Sequence, residues 1–206
     1  MSMSNPNLDN LQQIFIESRD DLRRWLVANN GQKDSIWLVT YKKAVGARHV
    51  AYYDIVDEAL CFGWIDSLPR KLDDERTMLL LSPRRPGSAW SKINKDNVAR
   101  LITQGLMTDA GLAKVRQAQE DGSWDILSDV DAWHLPTDLA EAFAANKRAR
   151  AYYDRFPPSS KRGILEWILS AKSAEIRAKR IAETVRLAEQ NLKANHPPGR
   201  NQGPKP

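Results

Sequence analysis

The chain has 206 residues, one cysteine, and 31 lysines and arginines against 26 aspartates and glutamates, which gives a net charge of +5. A chain of this length can bury a core without cross-links, and one cysteine excludes a disulfide framework and favours a reducing compartment. The sequence has no signal peptide and no apolar run long enough to span a membrane, so we expect a cytoplasmic protein without membrane insertion.

The N-terminal part of the sequence mixes helical and strand patterns. Residues 1–7 predict a flexible leader. Apolar residues at helical spacing predict a helix over 8–29, and a β-branched and aromatic run predicts a strand over 35–41. A second helix is expected over 52–62, where Gly63 stands at the position of a helix-ending glycine.

Two more strands and two more helices complete this part. The strands are predicted over 64–67 and 77–81, and we expect them to pair antiparallel across the polar link 69–74. Prolines close the second strand. The first of the two helices is expected to be capped by Ser91 or Asn94.

From residue 133 onward the pattern becomes helical throughout. Three or four helices are predicted, with breaks at Asn146, at Pro157 and near Ser173. The segment 194–206 is rich in proline and glycine, and we expect it to be disordered.

These patterns together predict an α+β fold. A small, mostly antiparallel sheet flanked by helices is expected over 8–132, followed by a helical unit over 133–193. The glycine spacing gives neither a dinucleotide fingerprint nor a P-loop, so no nucleotide cofactor is expected.

Several separated motifs resemble one bacterial family, the YdeI or OmpD-associated family, also called the bacteriocin-protection family. The motifs are EALCFGWIDS over 58–67, SPRRPGSAWSKIN over 82–94, GLMTDAGLAKV over 105–115, and a long C-terminal stretch over 135–185 that begins LPTDLAEAFAANKRARAYYDRF. The similarity extends over about residues 11–193.

The resemblance implies a cytoplasmic bacterial protein connected with envelope stress and with resistance to bacteriocins or antimicrobial peptides. It also implies that the helical C-terminal segment, 133–193, is a domain of the OmpD-associated type. The family has no agreed catalytic residues, so the resemblance assigns none to this chain.

The densest cluster of candidate site residues surrounds Pro86, which follows the strand predicted over 77–81. Arginine forks, hydroxyls and a predicted helix start are suited to an anion, and a tryptophan can stack on a ligand ring or on a guanidinium. The predicted ligand-binding residues are Trp64, Asp66, Arg76, Arg84, Arg85, Ser88, Trp90, Ser91, Lys92 and Asn94. The alternative is structural, with Arg84 and Arg85 as solvated loop charges and Trp90 packing the helix onto the sheet.

Two further residues near this cluster have plausible chemical roles. Asp66 is the candidate general acid or base if the protein is an enzyme, and the structural alternative is an ion pair with Arg70 or Arg84. Cys61 lies near the C-terminal end of a predicted helix, where the dipole raises a thiol pKa, so we interpret it as a small buried hydrophobe.

The sequence gives no ligand pattern for a metal site, and only a surplus of positive charge for a nucleic-acid site. Three scattered histidines and one cysteine give no zinc-ligand spacing, so no metal is expected. Between residues 147 and 193 there are twelve lysines and arginines against five acids, a surplus that could contact phosphates. Since no RNA- or DNA-reading motif accompanies it, we favour a solvated helical face.

The function expected from the sequence is binding rather than catalysis. The ligand would be an anionic small molecule or a protein partner, held by the region between Asp66 and Asn94. One alternative is a small enzyme acting on a phosphorylated or carboxylated metabolite, with Asp66 as acid or base and with Arg84 and Arg85 holding the anion. A second alternative is non-specific nucleic-acid binding through the basic C-terminal helices. The sequence leaves the oligomeric state open.

Overall fold

The computed structural model describes residues 6–197 and 199–204, and the chain divides into two compact units, 1–126 and 127–206. The leader expected over 1–7 lies mostly outside the described residues, which begin with a short helix at Pro6. Each unit has its own apolar core.

The N-terminal unit contains five helices and four strands among its described residues. They are α1 (Pro6–Asp9), β1 (Gln13–Phe15), α2 (Arg19–Asn29), β2 (Ile36–Tyr41), α3 (Tyr52–Cys61), β3 (Trp64–Lys71), β4 (Arg76–Pro83), α4 (Lys92–Thr103) and α5 (Asp109–Glu120). The predicted α+β class is confirmed.

The four strands form one mixed sheet in the order β1-β2-β4-β3. The pairs β2–β4 and β4–β3 are antiparallel, so the antiparallel pairing predicted across the polar link is confirmed. β1 runs parallel to β2 at one edge. The register of β3 against β4 shifts between Asp66 and Pro69, which is a β-bulge.

The helix predicted over 8–29 is wrong in its first half, because β1 lies there. Gln13–Phe15 is held by its parallel pairing with β2, which no local pattern reveals. The helix starts only after Ser18, whose hydroxyl accepts a hydrogen bond from the backbone N–H of Asp21 at 3.1 Å. Leu8 and Leu11 instead pack against the outer face of the sheet.

Alternation along the strands separates two apolar layers. Ile36 and Leu38 of β2 and Leu81 of β4 point into the main core with Trp64, whereas Trp37 and its neighbours on the outer face form a small second cluster. Because α2, α3, α4 and α5 contribute to the main core, they cover the inner face of the sheet.

The C-terminal unit is helical in its described residues. Its helices are α6 (Ser128–Asp131), α7 (Thr137–Ala145), α8 (Lys147–Arg155), α9 (Pro158–Leu169) and α10 (Ala174–Glu189). The predicted breaks are confirmed, because the side chains of Asn146 and Ser173 cap α8 and α10, and Pro158 opens α9. Fully buried Leu139, Phe143 and other apolar side chains make the core.

The segment after α10 turns back on this unit, although its composition predicted disorder over 194–206. Leu192 forms a bridge with Gln202, and the N–H of Gly203 donates to the carbonyl of Asn191 at 2.7 Å. Ala194 is buried. Residues 198, 205 and 206 lie outside the described part of the chain.

The helices are short throughout the two units. The longest that the structure describes is α10, with 16 residues. Within the described residues, no helix combines the length and the apolar character that crossing a bilayer requires.

Candidate functional site

Arg84 is the most unusual charged residue of the N-terminal unit, because its side chain is buried without an acidic partner. It directly follows β4 and is only 2% exposed. Its guanidinium carbon lies 3.6 Å from the centroid of the Trp90 ring, and Nη1 donates to the carbonyl of Ala89 at 3.3 Å. Its Nε and Nη2 are both buried and have no hydrogen-bond partner among the described residues.

Burial disfavours the charged form of this guanidinium. Desolvation lowers the pKa of Arg84 to about 10, although the nearby negative charge of Asp66 partly opposes that shift. Arg84 therefore remains a cation at neutral pH. A buried charge without a partner is unfavourable for folding, so its presence points to a role other than stability.

A small cavity lies beside the guanidinium, bounded by the loop after β4 and by α5. Its volume is about 10 Å³, which is the space of one water molecule. The carboxylate of Asp121 anchors this loop by accepting from the N–H groups of Gly87 at 3.1 Å and Ser123 at 2.9 Å. The loop that carries Arg84 and Trp90 is thus fixed at its far side.

A larger cleft that shares Arg84, Arg85, Pro86 and Lys114 with the small cavity is strongly basic, and we call it the basic cleft. It has a volume of about 420 Å³ and lies between the turn after α2, the end of β4 and α5. Its cationic lining residues are Lys33, Arg84, Arg85 and Lys114, and none of the described residues that line it is acidic. The hydroxyls of Ser35 and Ser82, 2.7 Å apart, contribute polar groups.

A close helix contact brings Lys114 to the basic cleft. A Cβ atom on Gly111 would lie 2.3 Å from the carbonyl oxygen of Cys61, so only glycine lets α5 approach the end of α3 this closely. At Gly63, where φ is +74°, a Cβ atom would lie 2.6 Å from Cγ of Lys114. The N–H of Arg84 donates to the carbonyl of Gly63 at 2.9 Å, which ties the strand end to the same point.

Only two of the predicted site residues, Arg84 and Arg85, line the basic cleft. Ser88 and Trp90 border the small cavity together with them. Ser91 caps α4 by accepting from the N–H of Asn94 at 3.3 Å, and Lys92 pairs with an acid on the same helix. Those last three residues therefore serve the start of α4 and do not line the cleft.

Arg76 and Trp64 lie elsewhere. Arg76 begins β4, at the opposite end from Arg84, and its guanidinium pairs with Asp73 at 2.6 Å. Trp64 is fully buried and packs edge-on against Trp25, with the ring centroids 5.6 Å apart. Trp64 is therefore part of the core.

The sequence did not suggest Lys33 and Lys114 as site residues. Lys33 is exposed in the turn between α2 and β2, and Lys114 is half-buried on α5. Neither lies in a motif, and both reach the basic cleft through long-range packing. The local signal for these two lysines was a glycine shortly before each of them. Gly31 marks the turn that carries Lys33, and Gly111 marks the close helix contact that positions Lys114.

Asp66 faces a different cavity from the basic cleft. This cavity has a volume of about 380 Å³, and the carboxylate of Asp66 accepts a hydrogen bond from the hydroxyl of Tyr52 at 2.7 Å. Burial and then this hydrogen bond raise the pKa of Tyr52 to about 12. The expected ion pair with Arg70 or Arg84 does not form, because Arg70 pairs with Asp9. In the enzyme alternative, Asp66 would be the acid or base, and Arg84 and Arg85 would hold the anion. Asp66 and these arginines line separate cavities, which disfavours that alternative.

Cys61 is buried, and the structure offers no metal centre among its described residues. Burial, followed by the negative charge of Glu58, raises the pKa of the Cys61 thiol to about 11, which disfavours the nucleophilic thiolate. No group of three or more histidine, cysteine, aspartate or glutamate side chains in the described chain is placed to hold a metal.

The basic helices of the C-terminal unit use many of their cations in local pairs. The pairs are Arg150–Asp154, Arg162–Asp131, Arg162–Glu166, Arg177–Asp138, Lys179–Glu175 and Arg186–Glu183. Arg180 stacks over Trp167 and donates to the hydroxyl of Ser170 at 2.9 Å. The surplus of cations is therefore partly neutralised, which weakens the nucleic-acid alternative.

Comparison with known protein families finds two matching models, one in each unit. Residues 14–114 match the model of a domain of unknown function (DUF8412). Residues 133–191 match the model described as bacteriocin-protection, YdeI or OmpD-associated. No curated protein and no solved structure matches the chain.

The two matches fall in different compact units, the first in the mixed-sheet unit 1–126 and the second in the helical unit 127–206. The second match bears out, for residues 133–191, the resemblance to the bacteriocin-protection, YdeI or OmpD-associated family. The N-terminal motifs that resembled the same family lie within or across the end of the first match, and the basic cleft is built from this N-terminal part.

Proposed function

We propose that this protein acts by binding a small anion, with a phosphate or carboxylate group, in the basic cleft. The observation that carries the proposal is the buried guanidinium of Arg84, which stacks on Trp90 and has two N–H-bearing atoms without partners. Such a group is unfavourable for folding but is suited to an anion, whose charge offsets that of the buried cation.

The cleft supplies two kinds of positive charge. Exposed Lys33 and Arg85 and half-buried Lys114 can contact an anion directly. The side chain of Arg84 is buried and does not contact the anion directly. Its positive charge attracts the anion through the low-dielectric interior, where the electric field is screened less than at the surface. Its stacking on Trp90 holds the guanidinium plane in one orientation before the ligand arrives.

The size of the cleft favours a small metabolite. A volume of about 420 Å³ falls in the range of small-molecule sites and is open enough for a polar ligand to enter. Since Asp66 lines another cavity, the basic cleft has no carboxylate to act as general acid or base among its described lining residues. Binding without catalysis is therefore the proposal.

The cellular role rests on the family description. The proposal places the protein in the cytoplasm, in agreement with its one unpaired cysteine, and links anion binding to envelope stress or to protection against bacteriocins or other antimicrobial peptides. In this scheme the N-terminal unit senses the anion, and the C-terminal domain contacts a protein partner.

The test is a binding titration with inorganic phosphate, pyrophosphate and citrate, measured by calorimetry and by thermal shift. The cleft variant is Lys33→Gln with Arg85→Gln, and the matched control is Lys43→Gln with Arg116→Gln. All four side chains are exposed, and the two control residues lie outside the cleft.

We expect the cleft variant to lose about tenfold or more in affinity, since hydrogen bonds to charged groups are removed, and the control to stay within about twofold. A ligand at a hundredfold excess over its Kd should stabilise the wild type by about 2.7 kcal/mol. Equal losses in both variants would show unspecific attraction to net charge, and the absence of binding by every anion would refute the proposal.

A further inference from the structure

The cavity that contains Asp66, which we call the Asp66 pocket, has a polar end and apolar walls. It is lined by residues of β2, β3 and β4, by the start of α3 and by the loop before α3, and it borders the main core. Val50 and Ile55, both almost fully buried, provide apolar walls together with Leu79. Its volume of about 380 Å³ is that of a site for a small ligand.

The carboxylate of Asp66 is open to a ligand. Oδ2 accepts the hydrogen bond from Tyr52, whereas Oδ1 has no partner, and Asp66 forms no ion pair with any described residue. The bulge between Asp66 and Pro69 shifts β3 out of register with β4 next to this carboxylate. None of the described residues that line the pocket is a lysine or an arginine.

Hydroxyl groups of the pocket can accept hydrogen bonds in addition to Asp66. His49 Nδ1 lies 2.8 Å from the carbonyl of Tyr41 and, since a carbonyl only accepts, Nδ1 donates this hydrogen bond, which fixes the ring at the edge of the pocket. The hydroxyl of Thr77 donates to the carbonyl of Arg70 at 3.0 Å, so its oxygen is left to accept. The hydroxyls of Thr40 and Ser67 also line the pocket and can accept hydrogen bonds, so a carboxylate and several hydroxyl oxygens surround a space that no lysine or arginine of the described lining enters.

We propose that the Asp66 pocket binds a small primary amine, whose ammonium group donates to Oδ1 of Asp66 and to the acceptors around it, and whose apolar body packs on Val50, Ile55 and Leu79. An ammonium group has three donors and no acceptor, which complements this lining. The exposed ring of Tyr52 beside Asp66 offers a further contact for a cation.

This site is separate from the proposed anion site, although the charge of Asp66 acts on Arg84 over a distance. The two cavities share no lining residue, and they select ligands of opposite charge. A failure of either proposal therefore leaves the other untouched.

The experiment uses the full chain, labelled with ¹⁵N, and follows amide shifts during titration with benzylamine. Two wild-type controls replace the ammonium, with benzyl alcohol as the neutral analogue and benzoate as the anionic one. The variant is Asp66→Asn, which keeps the shape and removes the charge. Its matched control is Asp74→Asn, since Asp74 is an exposed acid whose side chain is 97% accessible.

We expect benzylamine to shift the amides of Thr40, His49, Val50 and Thr77, and benzoate to leave them unchanged. Loss of a charged hydrogen bond should weaken benzylamine binding about tenfold or more in Asp66→Asn and less than about twofold in Asp74→Asn. The proposal is overturned if benzyl alcohol binds as well as benzylamine, if Asp66→Asn binds benzylamine normally, or if benzylamine shifts none of these amides. The comparison of ligands on the wild type stands even if the variant fails to fold.

Discussion

The two units of this chain differ in the polar groups that they bury. Among the described residues, the N-terminal unit buries the whole charged side chains of Asp57, Glu58 and Arg84, whereas the C-terminal unit buries the hydroxyls of Ser160 and Thr184 and only single polar atoms of Arg162 and Asn191. A protein interior tolerates charges only when they are paired or serve another purpose. The contrast indicates that the polar groups of the C-terminal unit serve its packing, whereas the N-terminal unit also contains candidate binding sites.

Within the N-terminal unit, the buried acids have partners and the buried base has none. Glu58 pairs with Arg19 at 2.7 Å and with Arg23 at 2.9 Å, and Asp57 pairs with Arg100 at 2.7 Å. These pairs tie α3 to α2 and α4, which is a structural role. Arg84 has no such role, and this difference is what marks the basic cleft as a candidate site.

The largest effect is expected on breaking the pairs of Glu58. Glu58→Gln leaves Arg19 and Arg23 facing a neutral amide, and since both arginines are about a third exposed, we expect a loss of about 2–3 kcal/mol in the free energy of unfolding. Denaturant unfolding followed by circular dichroism measures it. The control, Glu175→Gln, breaks an exposed pair of the C-terminal unit and should change stability by less than about 0.5 kcal/mol. If Glu58→Gln and Glu175→Gln changed the free energy of unfolding equally, the proposed difference between buried pairs of the N-terminal unit and exposed pairs of the C-terminal unit would be wrong.

A helical glycine from each unit provides the second comparison. Gly111→Ala places a methyl group against the backbone of Cys61, and we expect it to destabilise by about 1–3 kcal/mol. Gly163→Ala in α9 meets no atom within 4 Å and should stabilise by about 0.5–1 kcal/mol, because alanine is the better helix former. Thermal unfolding measures both. Because α5 carries Lys114, Gly111→Ala should also weaken anion binding, and unchanged stability of that variant would contradict the close contact.

The smallest change in stability is expected at Arg84. Arg84→Met removes a buried charge and its stacking on Trp90 together, two effects of opposite sign, so stability should stay within about 1 kcal/mol of the wild type. Affinity for phosphate or pyrophosphate should fall about tenfold or more. Denaturant unfolding and calorimetry on the same sample separate the two results. A destabilisation above about 2 kcal/mol would assign Arg84 to structure instead of binding.

The sequence predicts those features of the fold that depend on local chemistry. Ser91, Asn146 and Ser173 cap helices as their positions indicated, and Gly63 adopts the positive φ that follows α3. β1 was missed because its three residues form a strand only by pairing with β2. Local periodicity cannot detect a strand whose hydrogen bonds all go to a distant segment.

The candidate site was only partly predictable, for a similar reason. Arg84 could be identified as a possible anion ligand, but its burial depends on how Trp90 folds over it. Arg76 lies at the far end of β4, which follows from the strand length once the strand is known. Lys33 and Lys114 approach Arg84 only when α2 and α5 are packed on the sheet, which a pattern along the chain does not encode.

The stack of Arg84 on Trp90 also has a spectroscopic consequence. A full positive charge 3.6 Å from an indole imposes an electric field across the chromophore and shifts the wavelength at which it emits. An anion held in the basic cleft opposes that field. If the proposed anion binds, we therefore expect the emission of buried Trp90 to change, so that intrinsic fluorescence would follow the titration without an added dye.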